Sequence, residues 1–240
     1  MRSHGRRRAG GRAISTAFLL LPLSFACGLP RDADGTLRRV TGGTMRVGVV
    51  EHPPWTKLTP GGGAGGLEAA LMAELARELG ARVEWVRGPE SSLLEALQLR
   101  ELDVVIGGFT DATPWKKQVA FTKPFYTDTI VVGQPPGMPP VRTLERRPVA
   151  VKAGEPTAAY VRKKGGIPMP VPDLGHVVGL LAAPTWQLAW YGLVPAGITL
   201  HEARHVIAAP PGENAWLVRI EQAIRQRKAV IPELLRTSRS

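Results

Sequence analysis

Residues 67–106 read LEAALMAELARELGARVEWVRGPESSLLEALQLRELDVVI and alternate between two kinds of apolar pattern. The leucines of the first part recur at a period of about 3.6 residues up to Gly80, which predicts an amphipathic helix over 67–79. A strand over 83–86, a helix over 92–100 with a Ser-x-x-Glu capping box, and a strand over 102–106 are predicted after it. This alternation of helices and short strands is typical of a parallel sheet with helical crossovers.

The segment before this stretch completes a βαβαβ unit. Residues 45–50, MRVGVV, form an apolar run that predicts a buried first strand. The loop over 51–66 is too rich in proline and glycine for regular structure. Ligands of α/β sheets bind beyond the carboxyl ends of the strands. We therefore predict an α/β fold with mostly parallel sheets and a binding site in the loops that follow these strands.

A second βα pattern follows a boundary in the chain. After the segment 121–126, a β-branched strand is predicted over 129–133, and residues 134–148 then contain five prolines that indicate a boundary. Beyond it we predict a strand over 149–152, a helix over 156–163, a helix over 174–191 that breaks or begins near Pro184, a strand over 205–209 and a helix over 215–227. The chain thus predicts two α/β units of unequal length.

The first residues have the composition of an export signal. Residues 1–12 contain five arginines and no acid, and the mainly apolar run over 13–26 is too short to span a bilayer. Cys27, the only cysteine, follows at the end of LSFAC, a stretch that resembles a lipobox. We predict a signal peptide over 1–26, lipid attachment at Cys27 and a flexible tether over 27–43. Ordinary cleavage, with Cys27 as a free thiol, is the alternative.

The formal charge of +11 raises the question of a nucleic-acid partner. Removal of residues 1–26 takes away five arginines and no acid, which leaves +6. The remaining charge is scattered, so we predict no nucleic-acid partner. The basic runs 146–147 and 162–164 indicate a solvated surface, with contact to anionic lipid head groups as the alternative.

One motif favours a different function. His201, Glu202 and His205 satisfy the H-E-x-x-H pattern of zinc-dependent hydrolases, which needs both histidines on one face of a helix. Prolines and a glycine lie close on either side and leave little room for a buried helix. A zinc hydrolase therefore stays as an alternative function.

Five short motifs occur in a fixed order along the chain. They are Pro53-Pro54-Trp55 after the first strand, Gly66-Leu67-Glu68 at a helix start, the strand over 101–106, QVAFTKPFY over 118–126, and VKAG over 151–154. In this order they resemble the family 3 extracellular solute-binding proteins. The resemblance implies a two-lobed type II periplasmic binding-protein fold with a ligand cleft between the lobes, and delivery of the ligand to the permease of an ABC importer.

The resemblance also implies the division of the chain and its binding residues. Lobe 1 is expected over 44–133 and 205–236, and a short lobe 2 over 134–204. By position, lobe 1 is expected to contribute His52, Trp55, Gly108, Thr110 and Trp115 to ligand binding, and lobe 2 to contribute Gly154, Glu155 and Thr157. The protein is expected to be a monomer in the periplasm or at the cell surface, with no enzymatic activity and no cofactor.

Two departures from the family pattern bear on the ligand. Amino-acid-binding members use an arginine where Trp115 stands, to clamp the α-carboxylate, and an aspartate near 183–185 for the α-amino group. Ala183, Pro184 and Thr185 offer no such carboxylate. The expected ligand is therefore an amino-acid-like or other small organic molecule. A vestigial or sensory role, or a dehydratase-like activity in the same fold, stays as an alternative.

Overall fold

The computed structural model describes residue 1 and residues 32–238. Cys27 and nearly all of the predicted signal peptide lie outside the described residues, so both stay predictions. In the described part of the chain, no helix combines the length and the apolar character that a membrane span requires.

The described chain forms twelve strands and six α-helices. The strands are β1 (Thr44–Val49), β2 (Lys57–Leu58), β3 (Ala64–Gly65), β4 (Arg82–Arg87), β5 (Val104–Ile106), β6 (Ala120–Phe121), β7 (Tyr126–Gln134), β8 (Pro148–Lys152), β9 (Ile167–Val171), β10 (Leu181–Pro184), β11 (Val194–His205) and β12 (Ala208–Ala209). The helices are α1 (Thr36–Val40), α2 (Leu67–Glu78), α3 (Glu90–Gln98), α4 (Thr157–Lys163), α5 (Asn214–Arg227) and α6 (Ile231–Thr237). Turns of 3-10 helix cover Pro114–Lys117, Thr185–Tyr191 and Lys228–Val230.

The first sheet has the order β4-β1-β5-β12-β6. The strands β4 and β5 both pair parallel to β1, as the βαβαβ pattern predicts, and β12 pairs antiparallel to β5. Fully buried Met45, Met72 and Trp216 lie in the core between this sheet and the helices α2 and α5. The helix α3 begins at Glu90 without a side-chain cap, so the capping box predicted from Ser92 was wrong, because that serine lies inside the helix.

The second sheet has the order β11-β7-β10-β8-β9. The strands β9 and β10 pair parallel to β8, while β7 pairs antiparallel to both β10 and β11. Val132, Val149, Val151 and Val161 form its core with α4. The parallel strands β8 and β10 therefore point their carboxyl ends in one direction, which is where a second set of ligand-binding loops is expected.

The chain crosses between the two sheets at different residues from those predicted. The strand β7 begins at Tyr126 and pairs only within the second sheet, so 126–133 lie in lobe 2 and not in lobe 1. The first crossing falls between Phe121 and Tyr126, and the chain returns between His205 and Ala208. The reason is pairing: among the described strands, β7 has neighbours on both edges in lobe 2 and none in lobe 1.

The helix predicted over 174–191 was wrong. Residues 181–184 form the strand β10 between β7 and β8, and a 3-10 turn covers 185–191. Leu181 and its two alanine neighbours are buried, and a short apolar run of this kind fills a central strand position as well as it fills a helix.

Residues 32–43 differ from the predicted flexible tether. Thr36–Val40 form α1, whose Thr36 and Val40 are buried against lobe 1. The Glu213 carboxylate accepts hydrogen bonds from the backbone N–H groups of Asp34 (2.8 Å) and Thr36 (3.0 Å). This part of the chain is therefore a folded element of lobe 1.

Candidate functional site

A cleft of about 500 Å³ lies where the loops of the two sheets face each other. Lobe 1 contributes Pro53 and Pro54, from the loop that follows β1. Lobe 2 contributes the end of β8, the end of β10 and the loop over 173–176. The cleft therefore lies at the carboxyl ends of parallel strands, as the sequence predicts.

Charged groups of both signs lie side by side on the lobe 2 wall of the cleft. The Lys152 Nζ atom is 3.9 Å from the Glu155 Oε1 atom, and both side chains are about half exposed. The His176 Nε2 atom is 4.0 Å from the Asp173 Oδ2 atom, at the outer part of the same wall. The loosely paired, half-exposed charges of Lys152 and Glu155 are free to exchange their partner for the charges of a ligand.

Aromatic side chains from the turn over 185–191 form a second part of the wall. Trp186, Trp190 and Tyr191 line the cleft. The indole N–H of Trp186 donates to the Asp128 carboxylate (3.0 Å), and that of Trp190 donates to the backbone oxygen of Arg236 (2.8 Å). Burial raises the pKa of Asp128 to about 6, although the Trp186 hydrogen bond acts in the opposite direction. Both indoles are thus held in place by groups outside the cleft.

Four of the predicted lobe 1 residues pack together next to Pro53 and Pro54. They are His52, Trp55, Gly108 and Thr110. Trp55 is buried and stacks on His205 with a centroid distance of 3.6 Å. Thr110 forms an isolated bridge to His205, and the His52 Nδ1 atom lies 3.0 Å from the Gly107 carbonyl oxygen. Burial, together with the nearby His52, lowers the pKa of His205 to about 4, so this ring is neutral at physiological pH.

Gly108 packs against these residues and its backbone is already bonded. Its φ is 66°, and a Cβ atom would lie 2.7 Å from both His52 Nδ1 and Trp55 Cδ1. The N–H groups of Gly107 and Gly108 donate to the Glu68 Oε2 atom at 2.8 and 3.0 Å. Burial raises the pKa of Glu68 to about 7, against the lowering effect of these two N–H groups. Because Gly108 has no side chain, Trp55 can pack directly against this loop while Glu68 binds its N–H groups.

The other predicted residues lie in three different environments. Trp115 packs on the Leu93 cluster and donates to Glu90 (3.0 Å), away from the cleft lining. Glu155 lines the cleft, and Gly154 precedes it with a φ of 83°. Thr157 is buried at the start of α4. Glu155 is thus the one predicted residue that the described cleft lining contains, and ligand binding by all eight predicted residues stays a prediction.

The H-E-x-x-H pattern does not have the helix that it needs. Residues 201–205 lie in the strand β11. His201 stacks on Tyr160 of lobe 2, whereas His205 stacks on Trp55 of lobe 1. Among the described residues, no group of three or more His, Cys, Asp or Glu side chains could hold a metal ion. The two histidines therefore belong to different packing environments, and the helical basis of the zinc-hydrolase alternative was wrong.

Sequence reasoning missed most of the cleft wall. Lys152, Asp173, His176 and the aromatic residues of 185–191 line the cleft but were not predicted to bind ligand. For His176 and the aromatic residues the reason is that 174–191 was predicted to be a helix. Gly175 and Gly179 interrupt this run and are a signal against a continuous helix.

A known binding protein matches part of the chain in sequence. An L-arginine-binding protein from Pseudomonas aeruginosa is 28% identical over 83 residues, which are 34% of this chain and 32% of that protein. The matched segment thus spans about a third of that relative.

Two solved structures cover more of the chain. An ancestral cationic amino acid solute-binding protein has a TM-score of 0.66 at 20% identity and covers 84% of this chain and 97% of its own. The L-cystine solute receptor of Neisseria gonorrhoeae, unliganded and open, has a TM-score of 0.63 at 16% identity and covers 81% of this chain and 91% of its own. Both have the predicted fold, a two-lobed type II periplasmic binding fold, which is therefore confirmed.

The family model covers both sheets and four of the six described α-helices, α2 to α5. The residues that it matches, 45–230, run from β1 to the end of α5 and beyond. They contain all five motifs from which the family was predicted. The chain belongs to the bacterial extracellular solute-binding proteins, family 3.

Proposed function

We propose that this protein captures a small amino-acid-like solute in the interlobe cleft and presents it to the permease of an ABC importer. The observation that carries the proposal is the lobe 2 wall, where Lys152 and Glu155 lie 3.9 Å apart opposite Pro53 and Pro54 of lobe 1. The zwitterion of an amino acid carries one charge of each sign on two groups attached to the same carbon, and it is complementary to such a pair. Binding requires no covalent change in the solute.

The proposed binding mode uses lobe 2 for charge and both lobes for enclosure. The Lys152 ammonium would pair with a carboxylate of the solute, and Glu155 with its ammonium group. The faces of Trp186 and Trp190 would contact an alkyl chain or a cationic side chain. Asp173, which also lines the cleft, would attract a second positive charge. This mode needs no arginine at position 115.

Cationic amino acids are the first solutes to test. The partial relative is named for L-arginine and the ancestral relative for cationic amino acids. The cleft of this chain has carboxylates at Glu155 and Asp173 together with indole faces, which suits a ligand with two positive charges and one negative charge.

Solute binding can be tested on the purified protein by thermal shift and titration calorimetry. The panel contains L-arginine, L-lysine, L-cystine, L-glutamate, a polyamine and an aromatic acid. We expect at least one amino acid or amine to raise the melting temperature and to bind with one-to-one stoichiometry. Lys152→Met and Glu155→Gln are expected to weaken this binding at least tenfold, since each removes a charge-assisted contact.

Matched variants separate the cleft from general charge effects. Lys117→Met and Glu95→Gln change the same residue types at exposed positions of lobe 1 and should bind as the wild type does. Equal binding by the cleft variants and their controls would contradict the proposed site. Absence of binding across the panel would favour a vestigial or sensory role. Recovery of an altered solute, seen by NMR, would favour a dehydratase-like activity.

We also propose export through residues 1–26 and a lipid anchor at Cys27, with the protein acting as a monomer. The basic residues over 1–12, the mainly apolar run over 13–26 and the lone cysteine support this proposal. Palmitate labelling in a bacterial host is expected for the wild type and not for Cys27→Ser. Labelling of neither protein, with both recovered in the periplasmic fraction, would contradict the anchor.

A further inference from the structure

The end of lobe 2 opposite the cleft carries a concentration of basic residues. The strands β8, β9 and β10 are parallel, and Lys152 and Pro184 at the carboxyl ends of β8 and β10 line the cleft. The amino ends of these strands therefore lie together on the far side of the lobe. We call this region the basic pole; its cations are Arg146, Arg147, Arg162, Lys163 and Lys164.

Backbone contacts bring these two basic runs together. The Arg146 N–H donates to the Gly165 carbonyl oxygen (3.0 Å), and the Ile167 N–H donates to that of Arg147 (2.8 Å). The residues 162–164, which end α4, lead directly into this contact. The sequence separates the runs, whereas the fold makes them one surface.

The five cations of the basic pole have no acidic partner in the described part of the chain. All five side chains are exposed, and none of them forms an ion pair or a side-chain hydrogen bond among residues 32–238. Elsewhere the protein neutralises many of its arginines: Arg219 and Arg227, for example, pair with Glu78. Glu145 is the one acid within the sequence runs 145–147 and 162–164. The pole is therefore a local excess of positive charge.

Exposed apolar side chains lie beside these cations. Met138, Met169 and Val178 line a groove of about 310 Å³ together with Arg147. Met169 is 51% exposed, Val178 is 97% exposed, and Ile167 on the same strand is 49% exposed. Aliphatic side chains surrounded by lysine and arginine are the combination that inserts into the head-group region of an anionic bilayer.

The edge strand β9 argues against a partner that binds by adding a strand. The Ile167 N–H faces β8, so the N–H groups of alternate residues face the same way and positions 168 and 170 face outward. Both outward positions are prolines, which have no N–H to donate. The pole therefore offers charge and apolar surface without a directional hydrogen-bond ladder.

We propose that the basic pole of lobe 2 binds the surface of a bilayer rich in anionic phospholipid. The cations attract the phosphate groups, and Met138, Ile167, Met169 and Val178 enter the boundary between head groups and acyl chains. This contact is independent of the solute cleft, because the pole lies at the opposite ends of the same strands. It would orient lobe 2 on a membrane whether or not the cleft binds solute.

The test is sedimentation of the full chain with vesicles of phosphatidylglycerol and phosphatidylcholine, compared with vesicles of phosphatidylcholine alone. The variant Arg162→Gln/Lys163→Gln/Lys164→Gln removes three cations from the pole. We expect it to lower the partition coefficient onto the anionic vesicles by about 10- to 100-fold, and the wild-type coefficient to fall at ~0.5 M salt. Residues 1–31 are common to all proteins and cancel in this comparison.

Control variants separate the pole from total charge. Lys116→Gln/Lys117→Gln/Lys123→Gln removes the same charge from exposed positions of lobe 1 and of the first crossing, and this variant should partition as the wild type does. Met169→Ser is expected to lower the partition coefficient onto the anionic vesicles, but this coefficient should depend on salt as it does for the wild type. If the two triple variants lose partition equally, or if the pole variant binds the anionic vesicles like the wild type, the proposal is wrong. In the second case the cations would face another partner, such as an acidic protein.

Discussion

Glu68 is a carboxyl group without solvent contact in the loop network of lobe 1. Its Oε2 atom accepts hydrogen bonds from two backbone N–H groups, whereas its Oε1 atom has no hydrogen-bond partner within the described chain. The family motif that contains Glu68 predicts a helix start, and the structure adds a second role, because this carboxylate fixes the loop over 107–108. That loop in turn packs against Trp55 and His52 beside the cleft.

Glu68→Gln is expected to change the dependence of stability on pH. Burial raises the pKa of Glu68 from 4.5 to about 7, so the unfolded chain releases its proton first as the pH rises. The stabilisation by the retained proton is complete below pH 4.5 and is lost as the pH rises to 7. Glutamine has no proton to release. The difference in unfolding free energy, variant minus wild type, should therefore increase by roughly 3 kcal/mol between these pH values.

Urea denaturation across this pH range measures the effect. The exposed Glu84→Gln variant is the control and should give a difference that does not vary with pH. His205 titrates in the opposite sense, because its pKa is lowered to about 4, but its contribution is common to all three proteins and cancels. A difference curve for Glu68→Gln that is flat from pH 4.5 to 7 would contradict the assignment.

Gly108→Ala is expected to destabilise the protein by more than its backbone conformation alone explains. The added Cβ atom would lie 2.7 Å from both His52 and Trp55, closer than real side chains approach. Gly42→Ala is the matched control, because Gly42 has a similar φ of 74° and no atom of residues 32–238 lies within 4 Å of an added Cβ atom. We expect a loss of about 1 kcal/mol for the control and a further 1–3 kcal/mol at position 108. If denaturant titrations show that both variants lose the same unfolding free energy, the loop over 107–108 changes its conformation to accommodate the methyl group.

The element α1 illustrates how a segment of loop-like composition becomes structured. Residues 28–43 are polar and glycine-rich, which predicts a tether. Glu213, 177 residues after Thr36, supplies the acceptor for the backbone N–H groups at the start of the helix. Arg39 on the same helix forms an ion pair with the buried side chain of Asp103. These partners are distant in sequence, so no local pattern could predict α1.

Glu213→Ala is therefore expected to release α1 from lobe 1. The variant leaves the backbone N–H groups of Asp34 and Thr36 without their acceptor, which costs about 1–3 kcal/mol. Hydrogen exchange should become faster over 34–40 while the β1 amides stay protected. Glu202→Ala, at an exposed position of β11, is the control. Unchanged exchange over 34–40 would indicate that Val40 and Arg39 hold the helix without Glu213.

The segment 174–191 shows the limit of periodicity for elements in lobe 2. Its apolar residues fit a helix, but the strands β7 and β8 leave a gap that 181–184 fill. The choice between helix and strand for a short apolar run depends on its neighbours in space. As a result, Trp186 and Trp190 were missed as cleft residues until the fold placed them there.

On the scale of the whole molecule, the crossings between the sheets determine what can move. The chain passes between the lobes after Phe121 and again after His205. The C-terminal helix α6 adds a third connection, because Trp190 of lobe 2 donates to the backbone oxygen of Arg236. Closure of the cleft would bend the two crossing segments. The hydrogen bond between Trp190 and Arg236 also links the lobes, so it would either restrict this motion or break.

A solute that stabilises the protein is expected to make it more compact. Closure of two lobes around a ligand brings Pro53 and Pro54 towards Lys152 and reduces the radius of gyration. Small-angle X-ray scattering with and without the solute measures this change. Glu155→Gln at the same solute concentration should show a smaller decrease. An unchanged radius at saturating solute would mean that binding does not close the cleft.

The amino-acid sequence by itself determined the fold class and the family of this protein. The periodic leucines of α2, the apolar run of β1 and the ordered motifs are local signals, since hydrophobic period and turn residues act over a few neighbours. They were sufficient for the parallel unit of lobe 1 and for most of its helix bounds.

Only the tertiary structure decided which residues face the cleft. Trp55 and Trp186 are the same residue type but differ in position. Trp55 stacks on His205 outside the cleft lining, whereas Trp186 lines the cleft and donates a hydrogen bond to Asp128. The basic runs at 146–147 and 162–164 likewise became one surface through the contacts at Gly165 and Ile167. Each outcome depends on contacts between residues far apart in the chain, and such contacts exist only once the backbone has folded.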